Sequence, residues 1–342
     1  MPAEEVMKKN FFLVIFVFLF FSSYLFAFGA QEHSKKVVVY AYDSFTAEWG
    51  PGPEIKKQFE SKTGYELEFV TFEDATSVLT QAISEGGKCR ADVLVGIDNF
   101  QFPKARLANI LQSYKPKNVS HIKENLIFDK DFFVVPYDYG FFTLMYDTTS
   151  KVPAPTSLSD LTDSQYKKTV IIMDPRTSTP GTGFLAWTRA AFGEKYLDFW
   201  KALKPSLLTM APDWSSGYGL FTSGEAPFAL SYTSSEAYHV AYDKTSRYKA
   251  LTFSEGHIMQ IESMGILKNA KNIDGAKAFI EFMISETAQN ILPETQWMYP
   301  VSLDVALPES YRNIAIPKNI LPVDEAIIHH DTMLEQVIHI LK

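Results

Sequence analysis

The stretch from Val37 to Val95 alternates strand-like runs with amphipathic helical ones, and this alternation constrains the fold more than any other feature of the chain. Val37-Val38-Val39-Tyr40-Ala41-Tyr42 is a β-branched and aromatic run that reads as a buried strand. After Gly50-Pro51-Gly52-Pro53, Pro53 suits the first turn of a helix, Ile55 and Phe59 share one of its faces, and Gly64 stops it. Tyr65 to Thr71 is a second strand. Asp74 to Ser84 is a second helix, with Val78, Leu79, Ala82 and Ile83 inward and Gly86-Gly87 as terminator. Ala91 to Val95 is a third strand. Strand, helix, strand, helix, strand in this order implies right-handed βαβ units on a parallel sheet.

The pattern repeats further on, with strands at Thr169–Met173, Leu207–Met210 and Phe228–Tyr232, and helices at Gly181–Phe192, Ser215–Thr222 and Ser235–Asp243. Two long extended stretches, Phe132–Tyr146 and Ile258–Leu267, flank this region and suit crossovers between two α/β lobes. The expected division is 31–138 plus 261–342 for one lobe and 139–260 for the other. A conventional helix is expected over Ile273–Ser285, and another at the end of the chain. Parallel α/β lobes carry their ligand contacts at the carboxyl ends of strands, and two lobes joined by a double crossover form a hinged cleft. The segments of interest are therefore Tyr42–Ser44, Thr71–Ala75, Gly96–Asn99, Asp174–Gly183 and Tyr232–Ser235.

Residues 1–30 read as a removable secretory signal. Met7, Lys8 and Lys9 form a basic start, Phe11 to Phe21 contain no polar residue, and Ala27, Phe28, Gly29 and Ala30 supply a cleavage region. An uncleaved anchor needs about 20 apolar residues, which this run approaches only by including Ser22 and Ser23. The single cysteine, Cys89, rules out a disulfide within the chain, and no cysteine after the apolar run is available for lipid attachment. A formal charge of −8 argues against nucleic acid as a partner and leaves room for a cationic ligand. The histidines show no zinc spacing, so neither a metal nor a cofactor is expected.

Asp174 through Gly183 joins a strand to a helix and places Ser178 and Thr179 at the helix start, where free N–H groups and the helix dipole favour an anion or hydroxyl. Ordinary capping accounts for the same residues. Tyr232-Thr233-Ser234-Ser235, followed by Tyr238, repeats that geometry. Trp214 precedes a helix start and Trp297 lies in an irregular stretch, so both are candidate cleft walls, as they are candidate core residues. Asp74 either balances a ligand's positive charge or caps its helix. Cys89, beside Lys88 and Arg90, is a conceivable nucleophile, although no Gly-x-Ser-x-Gly elbow is present.

Several of these words occur together and in order: Tyr42-Asp43-Ser44-Phe45 with Trp49-Gly50-Pro51-Gly52-Pro53, Asp174 through Gly181, Tyr218-Gly219-Leu220-Phe221, Tyr232-Thr233 with Ala237-Tyr238-His239, Phe253 through His257, and Trp297-Met298-Tyr299-Pro300. In this the chain resembles the periplasmic thiamine-binding proteins of bacterial ABC importers; the segment after about Ile314 matches poorly. The resemblance implies a two-lobed α/β periplasmic-binding-protein fold of type II and a periplasmic location. It implies no catalysis, and delivery of thiamine, thiamine phosphate or thiamine diphosphate to a membrane permease. By the same resemblance Asp74, Ala75, Ser178, Thr179, Trp214, Tyr232, Thr233, Ser234 and Ser235 occupy ligand-contacting positions, and Tyr42, Tyr238 and Trp297 aromatic positions around the cleft. Ala75 departs from the glycine the family can carry there, and Ser234 replaces a threonine. Two alternatives remain open at this point: a thiamine-degrading transferase on the same architecture using Cys89, and a ferric-ion binder using Tyr232 and Tyr238.

Overall fold

The computed structural model describes residues 35–324 and 329–342; the expected signal at 1–30 lies outside the described residues. The first unit is built on strand β1 (Lys36–Tyr42), which pairs in parallel with both β2 (Glu66–Phe72) and β3 (Val93–Asp98). Helix α1 (Gly52–Thr63) crosses from β1 to β2 and ends where Gly64 adopts φ 74°, a left-handed turn that glycine enters without a Cβ penalty. Helix α2 (Ala75–Glu85) crosses from β2 to β3. Asp74 starts it by accepting the Thr76 N–H at 2.9 Å.

A long strand, β4 (Val135–Asp147), leaves this unit and enters a second one. There β5 (Val170–Met173) lies in parallel between β6 (Leu207–Ala211) and β7 (Phe228–Tyr232). Helices α3 (Thr179–Phe192), α4 (Tyr196–Leu203), α5 (Trp214–Thr222) and α6 (Ser235–Ala241) belong to it. Strand β8 (Met259–Leu267) then returns to the first unit. The sheet order is β2-β1-β3-β8-β4-β7-β5-β6. The first part of β4 pairs antiparallel with β8, from Val135 opposite Met264 to Phe141 opposite Met259. Its second part pairs antiparallel with β7, from Phe142 opposite Tyr232 to Tyr146 opposite Phe228. The two extended stretches of the sequence are thus the two crossovers, bonded to each other where the lobes meet.

Each lobe has its own core. Phe45, Ile55, Phe59, Leu79 and Phe279 fill the first, with Phe59 edge-on to Phe279 at 5.6 Å. Phe142, Phe184, Trp187, Trp200 and Phe228 fill the second. Its two buried indoles are satisfied, Trp187 donating to Gly256 O at 2.9 Å and Trp200 to Thr188 Oγ1 at 2.8 Å.

Two details differ from the expectation. The expected helix over Ile273–Ser285 forms as α7 (Ile273–Met283), and a helix not anticipated, α8 (Glu286–Thr295), follows it directly after Ser285, which takes an extended conformation and separates the two. The last helix, α9 (His330–Leu341), buries Met333 and Val337 in the second core, and Tyr196 donates to its Gln336 at 2.5 Å. The expectation had grouped it with the first lobe by chain order, which does not encode where an amphipathic stripe finds a matching apolar face. No helix among the described residues is long and apolar enough to cross a membrane.

Candidate functional site

The carboxyl ends of strands from both lobes, with the segment after α8, enclose a cavity of about 390 Å3. The end of β1 supplies Tyr42, and the turn beyond it Asp43 and Ser44; β2 leads to Glu73, Asp74 and Ala75. From the opposite lobe, α3 brings Thr179, α5 brings Trp214 and Tyr218, and β7 with α6 brings Tyr232, Ser235, Tyr238 and the adjoining Tyr242. β8 contributes Glu262, and the chain after α8 contributes Gln296, Trp297 and Met298.

Of the residues expected from the sequence, Tyr42, Asp74, Ala75, Thr179, Trp214, Tyr232, Ser235, Tyr238 and Trp297 therefore line one cavity. Ser178, Thr233 and Ser234 do not. All three are fully buried just behind the wall, in turns whose neighbouring residues Thr179 and Ser235 face the cavity instead. Glu262, Gln296 and Tyr242 escaped the sequence reading. Glu262 lies inside a crossover strand, where only register decides which way a side chain points.

The walls are aromatic ledges. The Trp214 ring stacks on Tyr218 at 4.8 Å with 14° between planes, and Tyr238 stacks on Tyr242 at 5.5 Å and 17°. Trp297 stands edge-on to both Tyr238 and Tyr242 at 5.6 Å. Trp297 holds φ at +58°, costly for a bulky residue. The conformation ends α8, with the Trp297 N–H donating to Leu292 O at 3.1 Å, and so fixes the backbone that carries the indole.

The floor is acidic. Four lining residues, Asp43, Glu73, Asp74 and Glu262, carry carboxyl groups, and the lining contains no lysine, arginine or histidine. Glu262 Oε2 accepts from Tyr42 Oη at 2.6 Å and Tyr137 Oη at 2.9 Å, and Gln296 donates to Tyr42 Oη at 2.6 Å. Asp138 sits opposite Glu262 on β4, fully buried. Burial and the Glu262 charge hold the Asp138 carboxyl well above the usual carboxylate range, and burial raises Glu262 against the help of the two phenols. Asp98 receives the Phe100 and Gln101 N–H groups and the Gln260 amide, yet burial still pushes it up to about 8. Burial likewise pushes Asp74 up to about 6, opposed by the N–H groups of Thr76 and Thr179. The Thr179 N–H, at the start of α3, reaches Asp74 Oδ1 across the cleft at 3.1 Å. A cavity that gathers carboxyl groups at the expense of their ionisation and offers no basic partner is built for a cation, and flat aromatic walls favour a ring-bearing one.

Two α/β lobes, a hinge of paired crossover strands and an enclosed cleft at the strand ends define a two-lobed solute-binding protein of type II. The family of bacterial extracellular solute-binding proteins matches residues 90–330. A thiamine-binding periplasmic protein of Salmonella typhimurium is 41% identical over 294 residues, 86% of this chain and 89% of the relative. One of Brucella melitensis is 38% identical over 298 residues, 84% of this chain and 88% of the relative. A solved structure of a periplasmic thiamin binding protein superposes with a TM-score of 0.86 at 35% identity, covering 90% of this chain and 96% of that one. The chain belongs to the bacterial extracellular solute-binding protein family, in the branch formed by these thiamine-binding periplasmic proteins. A ferric binding protein of Campylobacter jejuni, at 20% identity and a TM-score of 0.75, shares the fold.

Proposed function

We propose that this protein is the periplasmic binding component of an ABC importer, holding thiamine between its lobes and delivering it to a membrane permease. The observation that carries this is the cleft lining, aromatic ledges over a floor of carboxyl groups without a basic residue. Thiamine presents a flat aminopyrimidine and a thiazolium cation. Each ring stack contributes about 0.5–1.5 kcal/mol beyond burial, and cation–π contact about 0.5–2 kcal/mol. The hydroxyethyl tail, or its mono- and diphosphate esters, would meet Ser235 and the N-terminal turn of α3 at Thr179.

The protein acts without catalysis. Cys89, the thiol an enzyme of this architecture would need, lies before β3, at the opposite end of that strand from the cleft. It is 3% exposed, and burial pushes its thiol up to about 11. For ferric ion, Tyr232 would have to act as tyrosinate, but it donates its hydroxyl to Gln260 and burial raises its pKa well above the usual phenol range.

The test is titration with thiamine under tryptophan fluorescence, with Trp214 and Trp297 as reporters, followed by recovery of the ligand. Quenching at submicromolar thiamine and intact vitamin on release support the proposal. No quenching at micromolar ligand, or loss of the thiazole from recovered vitamin, overturns it.

A further inference from the structure

The word Phe253-Ser254-Glu255-Gly256-His257 supplies no side chain to the cavity, yet hydrogen bonds hold it from several sides. The His257 imidazole is buried and stacks on Trp187 of the second core at 5.2 Å. The Phe253 N–H donates to His257 Nε2 at 2.9 Å, so Nε2 accepts and the ring proton sits on Nδ1. Nδ1 lies 2.8 Å from Phe142 O, a carbonyl that can only accept, and therefore donates to it. Burial lowers the pKa of His257, which favours this neutral ring. The backbone of the residue is bonded as well. Its N–H donates to Asn319 O at 2.9 Å, and its carbonyl accepts the Leu321 N–H at 2.7 Å. Gly256, at φ +103°, lets that segment approach, since a Cβ there would stand 2.6 Å from Asn319 Nδ2.

These bonds end on three passages of the chain between the lobes. Phe142 is the residue at which β4 stops pairing with β8, after Phe141 opposite Met259, and starts pairing with β7, opposite Tyr232. His257 itself stands two residues before β8. Asn319 and Leu321 belong to a third passage among the described residues, 311–323. At its start Tyr311 donates to Pro293 O of α8 at 2.9 Å, and with Ile314 it packs against Phe141 and Ala237. At its end Leu321 and Val323 pack on the second core, which α9 joins. One buried residue thus ties β4, the root of β8 and the third passage to one another. A rotation of the lobes needs backbone torsions to change in every passage. The bonds of His257 remove that freedom at one level, on the side of the second lobe.

We infer that His257 is a positioning residue for ligand capture: it fixes the second-lobe ends of the three passages to one another, so that the cleft opens and closes by bending on their first-lobe side alone. A fixed root leaves the lobes one path back to the closed geometry. The closed complex then gives up less freedom when it forms and lasts longer once formed. This role rests on the thiamine reading above.

The experiment follows thiamine association and dissociation by stopped-flow tryptophan fluorescence in the wild-type protein, His257→Leu and His257→Asn. Leucine removes both imidazole bonds, whereas asparagine can place its amide N–H where Nδ1–H stands and keep the bond to Phe142. One hydrogen bond is worth roughly tenfold, and related complexes differ mainly in dissociation. Dissociation should therefore be about tenfold faster in His257→Leu and near the wild-type rate in His257→Asn, with association changed less than about threefold in either. Wild-type dissociation in His257→Leu, or equally fast dissociation in both variants, overturns this inference alone; a wild type that gives no thiamine signal overturns the thiamine reading and this inference with it. Should His257→Leu fail to fold, hydrogen exchange of the wild-type protein decides. The Phe253, His257 and Leu321 amides should be equally protected with and without thiamine. A gain in their protection on binding overturns the inference, because a root that loosens in the open protein fixes no path.

Discussion

Replacing Asp74 by Asn separates what this carboxylate does for the ligand from what it does to the fold. Asp74 is 6% exposed, and burial moves its pKa from 3.8 to about 6. Because the folded-state value is raised, the native protein holds the proton more tightly than the unfolded chain. Ionisation is therefore a penalty, absent below about pH 4 and complete above about pH 6. That rise corresponds to about 3 kcal/mol. The two backbone hydrogen bonds Asp74 accepts, from Thr76 N and from Thr179 N, end on Oδ1, and an Asn oxygen can keep them. Asp74→Asn should therefore stabilise the ligand-free protein by up to about 3 kcal/mol at neutral pH and leave it unchanged near pH 4. The same substitution should weaken thiamine binding: a cation about 6 Å from a carboxylate gains about 3 kcal/mol at an effective dielectric constant near 20. Urea unfolding across this pH range, paired with calorimetric titration, measures both effects. A variant that is less stable at neutral pH, or one that binds thiamine as tightly as the wild type, would refute the reasoning.

Three further outcomes follow from the geometry. Trp214→Ala should weaken thiamine binding by at least tenfold by removing the stacked ledge and the donor to Ser231; unchanged affinity in a fluorescence titration would take Trp214 out of the site. Cys89→Ala should bind thiamine normally, and the native thiol should resist alkylation near neutral pH until the protein is unfolded; rapid labelling of native protein would contradict its burial. In Gly183→Ala a Cβ would stand 2.2 Å from the Phe142 ring, so thermal unfolding should show a loss of about 1–3 kcal/mol; an unchanged melting temperature would mean that the ring moves freely.

Much of the fold was legible because its signals are local. β-Branched runs gave the strands, and Gly64 and the Gly86-Gly87 pair stopped α1 and α2 where expected. The rule that parallel lobes bind at strand ends then placed Tyr42, Asp74, Thr179 and Ser235 on one cleft. What stayed hidden depends on long-range pairing. Glu262 reaches the cavity only because β8 meets β4 in one register, with Glu262 opposite Asp138. Gln296 depends on α8, which the sequence reading did not separate from the loop around Trp297. Ser178, Thr233 and Ser234 share the composition of their neighbours and differ only in which way they turn, and composition carries no such information. The packing of α9 on the second lobe is of the same kind.

Thiamine binding is most directly tested by native mass spectrometry of the protein purified without denaturation and incubated with equimolar thiamine and an unrelated vitamin. The expected spectrum shows a one-to-one complex whose added mass is that of intact thiamine, released unchanged on activation. A spectrum showing only free protein, or an adduct on Cys89 with the thiazole lost, would contradict it.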